Sequence, residues 1–189
     1  MNEVYRKVAG TLIFLGATQF VVAMIVAEAI YPGYSVSNNY ISDLGVGPAA
    51  VIFNTSVFLF GVTVVLSAYL IFRVFRKIPV ATLFVLTGMG AIGVGVFPET
   101  APGGIHTVVS FVAFFFGGLS AIFSYTLGKH PLTYCSIALG AFSLVALALF
   151  ALQQYLGLGH GGMERMIAYP MLLWAIAFGG HLMSYSEKP

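Results

Sequence analysis

Three polar stretches interrupt an otherwise apolar chain, and their residue types are those of acid–base and anion-recognition chemistry. NNYISDLGVGP, residues 38–48, sets two asparagines, Ser42 and Asp43 within six positions. FPETAPGGIHTVVS, residues 97–110, holds Glu99, His106 and Ser110, and GLGHGGMERMIAYP, residues 157–170, holds His160, Glu164 and Arg165. A carboxyl group moved into a low-dielectric site has its pKa raised toward neutrality, which suits general acid or base work. A histidine in the first turn of a helix is disfavoured as imidazolium, so His106 is available as a base or a metal ligand. Ser110 follows it at i+4 on the same face, and Glu99 lies seven residues back across a tight turn. These features make His106, Glu99 and Glu164 the candidate catalytic groups. Asn39, Ser42, Asp43, Ser110 and Arg165 are the candidate ligand-binding groups. No HExxH or paired-histidine motif and no nucleophile elbow names a metal, a cofactor or a reaction.

Each of these residues also has a plainer reading. Ser42 and Asp43 are turn formers whose short side chains bond nearby backbone amides. His106 suits a hydrogen bond at a membrane interface, and Arg165 could reach out to phospholipid phosphate. Glu164 and Arg165 are sequence neighbours, so on a helix their side chains diverge by about 100° and neither is the other's main partner. The glycines before His106 and before Glu164 allow close backbone approach, and Gly103–His106 and Gly161–Glu164 share a spacing that suggests a repeated helix pair.

The elements that must position these groups are transmembrane. Apolar residues make up 59% of the 189 and charged residues 7%, which places the chain in lipid rather than water. Six segments approach the roughly 20 apolar residues a spanning helix needs: about 8–30, 49–72, 79–97, 104–127, 131–156 and 163–185. They lack the period-two alternation of a membrane β-strand. The expectation is an all-α, polytopic six-helix bundle forming a single transmembrane domain over residues 1–189. The N-terminal apolar run, with AEA at its end, resembles a signal peptide but exceeds the usual h-region of about 7–15 residues, so it is read as the first span. Cys135 is the only cysteine, which excludes an intrachain disulfide and a CxxC redox pair.

With six spans, Arg6, Lys7, Arg73, Arg76, Lys77, Lys129 and Lys188 fall at one end of the bundle, and the preference of Lys and Arg for cytoplasmic loops makes both termini cytoplasmic. That preference accounts for the basic charge, so no nucleic-acid site is inferred. Glu28, Asp43, Glu99 and Glu164 fall at the opposite, outer end with one cation, Arg165. Two expectations follow. Asp43, Glu99, His106 and Glu164 approach one another around an outward-opening cavity, and Asp43, on the long 31–48 connection, is the counter-ion of Arg165, with Glu28 as its rival.

PGYSVSNNYISDLG, VFPETAPGGIHTVVS and GMERMIAYPMLLW, in this order and spacing, together resemble domain-of-unknown-function family 998, six-helix integral membrane proteins found mainly in archaea and bacteria. The resemblance implies that Ser42, Asp43, Pro98, His106, Glu164 and Arg165 are the positions such a family would use, and it implies no reaction. The leading functional reading is an integral membrane protein whose outward-facing polar cavity binds a lipid or small amphipathic ligand. A lipid hydrolase or transferase is the alternative, and a proton-coupled transporter the second. A two-sided haem carrier is disfavoured because His130 and His160 fall in stretches rich in Gly and Pro. Membrane lipids are the expected partners; oligomeric state is not legible.

Overall fold

The computed structural model describes residues 1–184. It contains six helices long and apolar enough to cross a membrane. They are α1 (Asn2–Ile30), α2 (Ala50–Phe75), α3 (Ile78–Val96), α4 (Ile105–Phe123), α5 (Leu132–Ala151) and α6 (Gly159–Ser184). The described residues contain no strand, and the chain is a multi-pass membrane protein. The expected end of the sixth span at 185, and Glu187 and Lys188, lie outside the described residues.

Two helices begin earlier than hydropathy alone marks them. α1 starts at Asn2 because its polar first turns are held by a Glu3–Lys7 pair at i, i+4, 2.7 Å apart. α6 starts at Gly159, which puts His160 on a helix instead of in a loop.

α1, α2, α3 and α4 pack in chain order, and α6 closes the ring against α1. α5 packs on α4 and α6 and contributes no side chain to the central cavity. Glycines set the helix spacing, as expected where lipid offers no hydrophobic drive and close backbone contact must replace it. A Cβ on Gly61 of α2 would sit 2.6 Å from the Gly88 carbonyl of α3, and one on Gly10 of α1 would sit 2.6 Å from the Gly179 carbonyl of α6. The same holds for Gly140 of α5 against the Gly118 carbonyl of α4, also at 2.6 Å.

Several interior polar side chains bond across neighbouring helices. Gln19 donates to the Ser56 carbonyl at 2.8 Å and the Gly16 carbonyl at 3.0 Å, joining α1 to α2. Pro170 lacks an N–H and breaks the α6 ladder, and beside that break Ser143 of α5 donates to the Ile167 carbonyl at 2.8 Å. Trp174 Nε1 donates to Ser136 Oγ at 3.0 Å, fixing the indole against α5.

Candidate functional site

Six of the seven described Lys and Arg residues, Arg6, Lys7, Arg73, Arg76, Lys77 and Lys129, gather at one end of the bundle, hereafter the basic end; the opposite, acidic end carries the 31–49, 97–104 and 152–158 connections. The long 31–49 connection is compact because its own polar side chains fold it. Asn39 Oδ1 accepts from Ser35 N at 3.0 Å, while Asn39 Nδ2 and Tyr40 N donate to Asp43 Oδ2 at 2.8 and 3.1 Å. Asp43 lies in a 3₁₀ turn, Ser42–Gly45, and a second, Gly47–Ala49, leads into α2.

Arg165 fastens this connection to the bundle. Its side chain is 3% exposed. Nη2 lies 2.6 Å from both Glu28 Oε1 and Tyr34 Oη, and Nη1 donates to the carbonyls of Gly161, Val36 and Asn39 at 2.9, 3.1 and 3.3 Å. Tyr34 passes its own proton to the Tyr40 carbonyl at 2.9 Å. Burial pushes the Tyr34 phenol up to about 12 against the opposing pull of Arg165, so it remains a neutral donor.

The counter-ion of Arg165 is therefore Glu28, which corrects the expected Asp43–Arg165 pair. Closure of the ring by α1 against α6 carries the last turn of α1 to the first turns of α6, so Glu28 reaches the guanidinium directly. Asp43 is turned into its own loop by Asn39 and Tyr40. What the long connection brings to Arg165 is backbone carbonyls and a phenol.

Glu164 points the other way from Arg165, as adjacency on a helix requires. It is 6% exposed, and its Oε2 accepts the Ile41 N–H. The connection is thus held to α6 by both residues of the Glu164–Arg165 dipeptide. Gly161 N adds a bond to the Ser37 carbonyl at 3.1 Å, and a Cβ on Gly161 would overlap the Asn39 carbonyl. The glycine run before Glu164 is the seat on which the loop backbone lies.

Asp43, Glu99 and Glu164 lie within electrostatic reach of one another. Glu99 keeps contact with solvent and hydrogen-bonds Asp43; partial burial first, then that bond and the charge of Asp43, push its carboxyl up to about 7.

The three carboxylates thus approach one another as expected, but His106 bonds elsewhere. Its Nδ1 lies 2.7 Å from the Phe97 carbonyl, which only accepts, so Nδ1 carries the proton and the ring joins the start of α4 to the end of α3. Ser110, one turn on, lines the central cavity. His160 packs against Tyr40 with ring centroids 4.4 Å apart and planes tilted by 50°. Among the described residues no group of three or more His, Cys, Asp or Glu is placed to hold a metal ion.

Below the loop lies a cavity of about 90 Å³ between α1, α2, α3, α4 and α6. Ile41, Ser42 and Glu164 form its end beneath the loop; Phe20, Phe53, Phe84 and Trp174 belong to its wall. Thr87 and Ser120, joined Oγ to Oγ at 3.0 Å, lie on the same wall. Apart from hydroxyls and Glu164 the lining is apolar.

Residues 14–181 match the profile of a family described as "Protein of unknown function (DUF998)". The chain belongs to this family. The DUF998 match includes every residue named above at the acidic end and all of α2–α5. No curated protein and no solved structure matches it.

Sequence reasoning missed Tyr34, Tyr40 and the Ile41 amide. Tyr34 and Tyr40 stand in the right stretch, but nothing in a sequence distinguishes a phenol that braces an arginine from one that lies at the lipid interface. The aromatic wall of the cavity is scattered over five helices, α4 contributing Phe114, and shows only once the ring is closed.

Proposed function

We propose that this DUF998 protein binds a lipid or small amphipathic molecule, its apolar part in the central cavity and its polar part toward Glu164 and Ser42. In this reading the acidic end faces outward from the cell membrane and both termini are cytoplasmic, in keeping with the basic charge at the opposite end. The observation that carries it is the cavity: an apolar space of about 90 Å³ with one ionisable side chain, Glu164, at one end. Cavities of this order stay dry and accept small apolar guests, an engineered example being about 150 Å³. A buried carboxyl group at the mouth of such a space supplies orientation, as the few polar groups of small-molecule sites do.

The same lining ranks this reading above the other two. A proton-coupled transporter needs further titratable groups along the path, and Glu164 is the only one among the lining residues. A hydrolase needs an acid–base pair facing a common substrate, whereas His106 is hydrogen-bonded to the Phe97 carbonyl.

Trp174 is the only tryptophan and lines the cavity, so its fluorescence reports occupancy. A short bromoalkyl amphiphile, titrated into protein in lipid nanodiscs, is expected to quench it saturably. Filling the cavity by Ala168→Phe should abolish the saturable component while the helical circular dichroism is retained. Quenching that rises linearly and equally in both proteins would defeat the proposal.

A further inference from the structure

The central cavity is long and thin. Eleven residues separate Glu164, at its end beneath the loop, from Ala175, the deepest α6 residue that lines it, a span of about 16 Å at the helical rise of 1.5 Å per residue. A volume of about 90 Å³ drawn out over that length is a bore for one unbranched chain, too thin for a fused-ring skeleton or for two chains side by side. Taking this cavity as the ligand site, as proposed above, we infer that its ligand is a single-chain amphiphile whose head donates hydrogen bonds and bears no negative charge: a long-chain alcohol or amine.

The polar groups of the lining divide by depth. Thr87 Oγ1 donates its one proton to the Leu83 carbonyl at 2.9 Å, so the 3.0 Å contact between Thr87 and Ser120 is a bond that Ser120 donates. Both protons are committed, and nothing at that depth calls for a polar group on the ligand. The loop end differs. Ser110 lies five residues into α4 and Glu164 five residues into α6, and both helices start at the acidic end, so both lie at the end that Ser42 closes. The Ser42 and Ser110 hydroxyls make no hydrogen bond within the described residues. Glu164 Oε2 accepts the Ile41 N–H, and Oε1 has no partner there. A head that brings its own protons satisfies Oε1, while the serine hydroxyls, free to rotate, complete its remaining bonds.

Charge selects in the same direction. Asp43 and Glu99 act on Glu164 across this end, and its one described cation, Arg165, is held by Glu28 at 2.6 Å. A carboxylate or phosphate head brought beneath the loop meets like charge; a hydroxyl or an ammonium meets acceptors.

The test uses the full chain in nanodiscs and three quenchers that share one chain and differ in head: ω-bromoundecanol, ω-bromoundecylamine and ω-bromoundecanoate, at mildly alkaline pH, where the acid is ionised. Trp174 lies ten residues beyond Glu164 on α6, so a bromine at the far end of the chain is delivered toward the indole. Concentrations are expressed as mole fraction in the bilayer, which removes differences in partitioning. Saturable quenching by the alcohol, the amine or both, about tenfold or more tighter than by the acid, is expected, and the tighter of the two names the head. Saturable quenching by the acid as tight as by the others overturns the inference and leaves the cavity as a ligand site; no saturable quenching by any head overturns both. Glu164→Gln keeps an oxygen for the Ile41 N–H and sets a donor in place of the second oxygen, so it should erase the discrimination against the acid. Discrimination that survives it unchanged overturns the inference. Ser110→Ala, which removes a hydroxyl that holds no other group, should weaken the preferred probe about threefold, and with the natural protein's ranking of the three heads it decides the matter if Glu164→Gln does not fold.

Discussion

Arg165 and Glu28 meet with Nη2 and Oε1 2.6 Å apart, 137 residues apart in sequence, where the ends of α1 and α6 close the ring. The pair does more than neutralise a charge. The same guanidinium holds Tyr34 and the carbonyls of Val36 and Asn39, so ring closure and loop folding depend on one side chain.

Removing that cation should therefore be severe. Arg165→Gln strands a partly buried carboxylate and several carbonyls, and breaking such pairs costs about 3–5 kcal/mol. In a thermal-unfolding cycle in detergent, Glu28→Gln and Arg165→Gln should couple by about 1 kcal/mol or more. Asp43→Asn and Arg165→Gln should couple more weakly. Equal coupling in the two cycles would mean that Asp43 shares the cation.

The Asp43–Glu99 pair predicts a pH dependence. Glu99 is held up to about 7 in the folded protein, above its ordinary 4.5. Between those values the folded state binds a proton that the unfolded state has released, so the pair's contribution to stability is present at acid pH and falls as pH rises through about 7. Unfolding temperature measured from pH 5 to pH 8.5 should drop more steeply for the natural protein than for Glu99→Gln, with the variant the more stable at the alkaline end. Parallel profiles would show that Glu99 titrates as an ordinary surface carboxylate.

The sequence carries this fold well because lipid leaves so few alternatives: six apolar runs must be six helices, and polar stretches between them must be their ends. The three carboxylates at one end were legible for the same reason, since helix parity alone places them there. Partner choice was not. Asp43 has the longer connection and so looks the freer of the two acids, yet Asn39 and the Tyr40 amide occupy it locally, while Glu28 on a rigid helix is delivered to Arg165 by packing. His106 illustrates the same limit. Its nearest competitor for a hydrogen bond was a backbone carbonyl at the end of α3, and main-chain acceptors leave no mark in a sequence.

Gly161 offers a test of how the loop is seated. A Cβ there would overlap the Asn39 carbonyl and lie 2.6 Å from the Val36 carbonyl, the two acceptors that Arg165 holds from the other side. Neither carbonyl can retreat without giving up that bond. Gly161→Ala should cost about 1–3 kcal/mol, the usual toll of overpacking, and should speed amide exchange over residues 35–43. Gly180, with open space around its Cβ position, is the control: Gly180→Ala should be neutral or slightly stabilising, as Ala is the better helix former. Slow exchange retained in Gly161→Ala would mean that the loop is seated by its own Asn39–Asp43 turn and not by α6.

The remaining prediction concerns sidedness, on which the proposed outward cavity depends. Arg73, Arg76 and Lys77 flank the α2–α3 connection and Lys129 the α4–α5 connection, whereas the 31–49 connection contains no Lys or Arg. Positively charged loops are retained on the cytoplasmic side, so the 31–49 connection should be outside. Single cysteines test this in a Cys135→Ser background, with Ser37→Cys on the long connection and Lys77→Cys on the short one. Both positions are exposed, so reactivity reads sidedness and not burial. In intact cells an impermeant maleimide should label Ser37→Cys and spare Lys77→Cys until the membrane is opened. The reverse pattern would turn the acidic end inward, and the amphipathic ligand would then enter from the cytoplasm.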